Sequence, residues 1–193
     1  MHSKSLYPSS YFLIGLLIVL LSAIACNEER QAKKMPTEIS SFLYAYTSGT
    51  ISKSAPIRVR FTNSVTDNQQ IGQAVEQNVL TFDPSIDGSA VWEDDRTILF
   101  EPEEWLQSRT TYVATVQLAK LFDKVPKSIS SFEFDFRTKD QYLDLAVLGL
   151  ETEDITDLAT QTLKGNIYTS DVADAERVEA VLTASQGGTA LPI

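Results

Sequence analysis

An all-β fold is predicted for this 193-residue chain: an antiparallel β-sandwich followed by an incomplete second, mainly β domain with one short helix. Three observations predict it. From Ile39 to Thr138 apolar and polar residues alternate with period two, turn residues return at regular spacing, and no long 3.6-residue period runs through the segment.

The elements follow in order. Phe42 to Tyr46 is a short aromatic-rich strand, and Thr47-Ser48-Gly49-Thr50 ends it as a turn. After Pro56, Ile57, Val59 and Phe61 point inward while Arg58 and Arg60 point outward, the mark of a half-buried antiparallel strand. Val79 to Phe82 is a strand stopped by Asp83-Pro84. Ala90 to Glu93 and Thr97 to Phe100 flank Asp94-Asp95-Arg96 as a hairpin. Thr110 to Leu118 sets Tyr112, Ala114, Val116 and Leu118 on one face against Val113, Thr115 and Gln117 on the other. In Ser131 to Thr138, Phe132, Phe134 and Phe136 interleave with Glu133, Asp135 and Arg137. About seven strands in roughly 100 residues predict an immunoglobulin-like sandwich, whose core rests on packing because no disulfide can form. Trp92 and the three phenylalanines are its expected anchors.

Beyond Thr138 the pattern continues more thinly. Leu143, Leu145 and Val147 alternate with Asp144, Ala146 and Leu148 in a strand ending at Gly149-Leu150. Glu151 to Asp157 is an acidic loop, and Leu163 to Thr169 is a second strand. Asp171 to Leu182 predicts a short helix, with Asp171 or Asp174 as N-cap and Val178, Val181 and Leu182 on one side. Gln186-Gly187-Gly188 marks a turn before Leu191-Pro192-Ile193. Residues 139–193 are too few for a second full sandwich, and the expectation is a second domain cut short.

The N-terminus carries a different signal. Lys4 and His2 precede the apolar run Tyr11 to Leu21, and Ser22-Ala23-Ile24-Ala25-Cys26 follows. A basic start, a greasy segment and small residues at a cleavage point predict a secretory signal peptide over 1–25. The apolar stretch is about 15 residues, short of the ~20 that span a bilayer. Ala23-Ile24-Ala25-Cys26 resembles the lipobox of bacterial lipoproteins, although Ala23 stands where that family prefers leucine. The resemblance implies cleavage after Ala25 and acylation of Cys26, anchoring the chain to a membrane through its lipid. Residues 26–38 read as a polar tether, in which Glu28-Glu29 is either a surface-export signal or plain solvated linker.

Composition excludes much of the rest. The chain carries 16 basic and 26 acidic residues, one cysteine and one histidine. So acidic a balance predicts no nucleic-acid partner. Removal of 1–25 leaves 168 residues, 15 basic against 26 acidic, and takes away His2. With Cys26 given to the lipid, histidine-dependent triads, Cys–His pairs and histidine- or cysteine-cluster metal sites are excluded in the mature chain.

Taken together, Ala45-Tyr46-Thr47-Ser48-Gly49, Ser54-Ala55-Pro56 through Phe61, Gly88, Trp92, Asp95-Arg96-Thr97 through Pro102, Leu106, Tyr112 and Phe132 to Thr138 resemble the first domain of bacterial alpha-2-macroglobulins. More broadly they resemble the SbsA-type bacterial Ig-like domain. Val172 to Leu182 and Leu191-Pro192-Ile193 look like the start of the next domain there. The resemblance implies a domain over 39–138, a second beginning at 139–193, and a monomeric, lipid-anchored, cell-envelope scaffold of a protease-trapping protein. Proteases would be met only by the full-length parent, because this chain lacks the Cys-x-Glu-Gln thioester pattern and a bait segment. The alternative is a free-standing envelope lipoprotein with an Ig-like binding or structural module.

No catalytic residue, metal or cofactor is expected. Asp83, Asp87, Asp94 and Asp95 cluster in sequence but fit no calcium-loop spacing. Ser128, Ser130 and Ser131 lack a Ser-x-x-Lys relation to Lys127. Trp105 and Tyr112 could line a peptide or glycan surface, with core packing the favoured role.

Overall fold

The structure, a computed structural model, describes residues 37–191. The expected signal peptide, Ala25, Cys26 and nearly all of the tether lie outside the described residues.

Eight strands build two sheets. In chain order they are β1 (Leu43–Tyr46), β2 (Gly49–Ile51), β3 (Ile57–Phe61), β4 (Leu80–Asp83), β5 (Gly88–Asp94), β6 (Thr97–Pro102), β7 (Thr111–Val116) and β8 (Phe132–Thr138). One sheet has the order β1-β3-β6-β5 and the other β2-β8-β7-β4. All pairs are antiparallel except β2 with β8, which run parallel.

The eighth strand corrects the sequence reading. Thr47 to Thr50 was expected to be a turn closing the first strand. Instead the chain crosses between sheets there, with Gly49 at φ 72° absorbing the change of direction. Gly49, Thr50 and Ile51 then pair with Phe136, Arg137 and Thr138. Counted as one strand shared by both sheets, β1 and β2 restore the expected seven. The first, second, fifth and fourth strands form one layer, and the third, sixth and seventh form the other, as in the immunoglobulin arrangement.

The alternation read from the sequence sets the core. Ile57, Val59 and Phe61 are fully buried, and so are Ile98 on β6 and Ala114 and Val116 on β7. Phe132, Phe134 and Phe136 face them from β8, in register with Val116, Ala114 and Tyr112. Phe82 bridges the layers, its ring 4.6 Å from that of Phe100 and 6.4 Å from that of Phe136. Trp92 is buried, as expected, beside Phe61. Two fully buried residues, Val59 on the second strand and Ala114 on the sixth, are apolar. Ala114 stands two residues after Tyr112, where antibody domains place a cysteine of their cross-sheet disulfide, so packing holds this core together.

β7 ends sooner than its alternation suggested. Leu118 is buried as expected but opens a helical turn, α1 (Leu118–Leu121), and Phe122 then packs its ring 5.1 Å from Phe42 and 5.7 Å from Phe61. The segment Val116 to Phe122 therefore closes one end of the sandwich as a plug.

The second segment consists of β9 (Leu143–Glu151) paired antiparallel with β10 (Thr162–Thr169), the helix α2 (Ala175–Ala180), and a small hairpin of β11 (Ala184–Gln186) and β12 (Thr189–Leu191). Asp174, not Asp171, is the N-cap of α2, accepting from Arg177 N at 3.0 Å. Gly187 and Gly188 make the two-residue turn of the last hairpin with φ 56° and 84°, a geometry that demands positive φ at both positions.

The two regions differ sharply in burial. All 18 buried apolar residues among those described lie between Ile39 and Phe136. Beyond Thr138 the one buried residue among those described is Asp171.

Candidate functional site: the base of the sandwich

Residue types with chemistry on offer were Asp83, Asp87, Asp94, Asp95, the Ser128–Ser131 group and the aromatics Trp105 and Tyr112. The structure gives each a local task. Among the described residues no three His, Cys, Asp or Glu side chains converge to hold a metal. Burial pushes the Asp94 carboxyl up, but the Arg96 N–H at 2.9 Å, Thr97 and the charges of Arg60 and Arg96 hold it below the usual carboxylate range. It is an anion organising its own hairpin. Asp95 accepts from Ser64 Oγ, and its carbonyl accepts from Val65 N at 2.8 Å and Thr66 N at 3.1 Å, which ties the 62–66 loop to the same hairpin. Lys127 to Ile129 forms a 3-10 turn leading into β8.

Tyr112 is buried, with its ring stacked 5.5 Å from Phe136. Its hydroxyl accepts from Gln107 N, five residues upstream, at 3.2 Å. That is the tyrosine corner of immunoglobulin-like domains, in which a tyrosine near the start of the sixth strand bonds back to the loop before it. Thr138 completes the corner: its fully buried hydroxyl accepts from Thr110 N at 2.9 Å and donates to Gln107 O at 2.5 Å. Trp105, by contrast, corrects the core-packing expectation. It is 51% exposed, and Lys53 Nζ sits 5.1 Å above its ring.

Lys53 leads to the constellation that the sequence did not single out. At this end of the sandwich, the turn after β2, the 103–110 loop and the exit from β8 meet the second segment. Lys53 O accepts from Leu106 N at 2.9 Å, and Ile51 O accepts from Lys139 N at 2.9 Å. Lys139 O in turn accepts from Arg109 N at 3.0 Å. Into this junction Asp171 inserts its carboxylate, 119 residues from Ser52 in sequence. Oδ1 accepts from Ser52 Oγ at 2.5 Å and from Val172 N at 2.9 Å, while Oδ2 accepts from Lys53 N at 2.8 Å. The Asp171 carbonyl accepts from Thr169 Oγ1 at 2.7 Å, so the residue is fastened on both sides. Ser170 Oγ donates to Asp140 O at 2.7 Å and accepts from Tyr142 N at 2.9 Å, drawing the two legs of the β9–β10 hairpin together.

The electrostatics fit a structural anion. Burial pushes the Asp171 carboxyl up, but hydrogen bonds from Ser52, Lys53 N and Val172 N, with the charge of Lys139, outweigh it and hold the group below the usual carboxylate range. A carboxylate so stabilised is a weak proton acceptor, and its oxygens are already occupied by donors. The arrangement can fix one segment on another; it has little capacity to activate Ser52. No sequence pattern announced it, because Asp171 sits just before α2 and reads locally as a capping residue.

The comparisons with known proteins bear on the sandwich. A family model described as a bacterial Ig domain matches residues 31–121, reaching from the tether through β7 and α1. No curated protein matches the chain. Among solved structures, an L,D-transpeptidase from Mycobacterium tuberculosis H37Rv is 18% identical with TM-score 0.36, the alignment covering 56% of this chain and 42% of that one. L,D-transpeptidase 3 from Mycobacterium tuberculosis, in complex with a faropenem-derived adduct, is 16% identical with TM-score 0.37, over 66% of this chain and 46% of that one. An L,D-transpeptidase from Mycobacterium smegmatis is 17% identical with TM-score 0.35, over 54% and 40%. This chain therefore spans less than half the length of each of these structures. With its seven-strand order, tyrosine corner and family match, the sandwich is a bacterial Ig-like domain.

Proposed function

We propose that this chain is a non-catalytic, lipid-anchored scaffold of the bacterial cell envelope, the N-terminal part of an alpha-2-macroglobulin-like protease inhibitor. The observation that carries the scaffold reading is the Asp171 junction, where the polar groups at the base of the Ig-like domain are spent on holding the following segment in place. A module built to position what comes after it needs such a joint, and an enzyme needs free acids, bases or nucleophiles instead. The order of motifs from Ala45 to Thr138 supports the inhibitor family, and Ala25-Cys26 after the apolar run supports anchoring. Among the described residues no helix is long and apolar enough to cross a membrane. The chain acts as a monomer facing the periplasm or the cell surface, and proteases are engaged only by the longer parent.

The test is acylation in a bacterial host fed labelled palmitate. The expected result is label on the wild-type chain and none on Cys26→Ala, with the wild type in the membrane fraction. Equal labelling of the two removes the anchor from the proposal.

The second reading is a free-standing envelope lipoprotein whose Ig-like module binds a partner directly. Exposed aromatics under cations favour it: Tyr44, 70% exposed, lies below Arg60, and Trp105 lies below Lys53. Loss of a captured envelope protein on Trp105→Ala, with the fold intact, would select this reading over the first.

A further inference from the structure

Residues 62–79 join β3 to β4 and form the longest connection in the sandwich. Loops of compact domains seldom exceed ~12–15 residues unless they have a function of their own. This one runs along the open side of β5. Gly72 N donates to Trp92 O at 2.8 Å, Trp92 N donates to Gln73 O at 3.1 Å, and Val75 N donates to Ala90 O at 2.9 Å. Ala74 stands opposite Val91 as an antiparallel bridge. The 72–75 segment therefore pairs with β5 as a further strand would, on the side that β6 leaves free.

Each end of the connection is tied down separately. Val65 N and Thr66 N donate to Asp95 O at the turn between β5 and β6. At the other end Lys120 Nζ donates to Gln77 O at 2.9 Å and lies 3.9 Å from Glu76 Oε1. Between these ties the segment is held mainly through its backbone: Gly72, Gln73 and Ala74 are exposed, and Val75 is half-buried. Gly72 enters it at φ 80°, a conformation that glycine takes without strain.

The other edges show why β5 needs cover. The outer strands of the two sheets are β1 and β5 in one and β2 and β4 in the other. β2 has three residues, and β1 and β4 have four each. β1 also carries a register shift between Leu43 and Ala45, and Pro84 follows β4. Short, bulged or proline-ended edges pair poorly with another chain. β5 has seven residues and keeps an unbroken register against β6 from Gly88 to Trp92. Uncovered, it would be the edge best suited to template a strand.

We propose that the 72–75 segment is an edge guard: it occupies the main-chain groups of β5 that would otherwise pair with β5 of a second copy of this chain. A second copy is the occupant excluded because one edge, set antiparallel to itself about a two-fold axis, is self-complementary. The guard prevails because both its ends are tethered beside β5, so its effective concentration there far exceeds that of any second copy. The proposal concerns the Ig-like domain alone and stands whatever becomes of the lipid anchor or the inhibitor reading.

Two variants loosen the guard without altering β5. Val75→Pro deletes the donor to Ala90 O, and Gly72→Val forces a β-branched side chain onto a positive φ. Sedimentation of the full chain in density-matched detergent micelles keeps the apolar run at Tyr11 to Leu21 from driving assembly itself. Wild type should sediment as a monomer, and each variant should dimerise with an association constant at least about tenfold higher. Adding Ala90→Pro removes an N–H on the open side of β5 but keeps the carbonyl that the guard uses, and should return both variants to the wild-type value. Amide exchange at Val59 and Ala114 should stay as slow as in wild type throughout. If Val75→Pro speeds it, Gly72→Val decides the matter. Three results overturn the proposal: unchanged association in the guard variants, association that persists with Ala90→Pro, or association that appears only where the core amides lose protection.

Discussion

Replacing Asp171 by asparagine removes one charge and almost no volume, so it isolates the electrostatics of the joint. The amide keeps one acceptor oxygen and puts an NH₂ group in the place of the other. With the NH₂ at the Oδ1 position it confronts Val172 N–H, and at the Oδ2 position it confronts Lys53 N–H. No rotamer flip escapes this, because a backbone donor stands on each side. Hydrogen bonds to a charged group contribute ~1.5–3 kcal/mol each, and a buried donor left unpaired costs ~1–3 kcal/mol. The joint should weaken by about 3 kcal/mol, roughly a hundredfold in its opening equilibrium. Amide exchange reads it locally: Lys53 and Val172 should exchange about 100-fold faster in Asp171→Asn, with Val59 and Ala114 in the core unchanged as internal controls.

The pH dependence follows with a definite sign. The Asp171 carboxyl lies lower when folded than when unfolded, so its contribution is complete above the ordinary carboxylate range and is lost as pH falls through the folded value. The wild-type joint should therefore hold at neutral pH and release only in acid below that range, and Asp171→Asn should show no such acid step. If Lys53 exchange is the same in both proteins, or if the core amides accelerate equally, the junction is not what fixes the second segment.

Other outcomes can be stated briefly. Tyr112→Phe leaves Gln107 N–H without its acceptor and should cost about 1 kcal/mol, a fall of about 4–8 °C in the melting temperature of the sandwich by calorimetry. Gly88→Ala should cost ~1–3 kcal/mol in urea denaturation, because a Cβ there would stand 2.3 Å from Glu101 O and 2.8 Å from Phe100 Cζ. Phe136→Ala, at a residue 1% exposed, should cost ~3–5 kcal/mol in the same assay. Leu145→Ala in the 193-residue chain should change stability by less than ~0.5 kcal/mol, since its side chain is exposed there.

The sandwich was largely legible because its core strands carry one buried face each. Arg58 and Arg60 between Ile57, Val59 and Phe61 leave a single orientation, since slipping by one residue would bury two guanidinium groups. Phe132 to Phe136 argue in the same way. What escaped were features that depend on distant chain. Gly49 reads as a turn until Phe136 arrives to pair with it, and Leu118 continues an alternation until Phe122 needs its place at the end of the sandwich. Trp105 was assigned to the core by residue type, yet it belongs to a loop whose buried anchor is its neighbour Leu106. Asp171 was legible as an acid at the edge of a helix; its partners Ser52 and Lys53 lie 119 and 118 residues earlier in the chain.

The second segment shows why alternation alone can mislead. Leu143, Leu145 and Val147 were read correctly as one face, and Leu148 and Leu150 then fall on the other, which suggests a strand apolar on both sides. A strand apolar on both sides belongs in the middle of a buried sheet, yet β9 has one partner and its neighbour β10 carries Lys164 and Asn166. The bulge at Leu148 removes the contradiction by moving Leu150 back to the first face at the cost of one unpaired residue. Deleting Leu148 tests this register: it should remove the bulge, restore strict alternation and keep Leu150 opposite Leu163 on the first face, which cross-strand NOEs would read, while leaving the Ig-like sandwich intact.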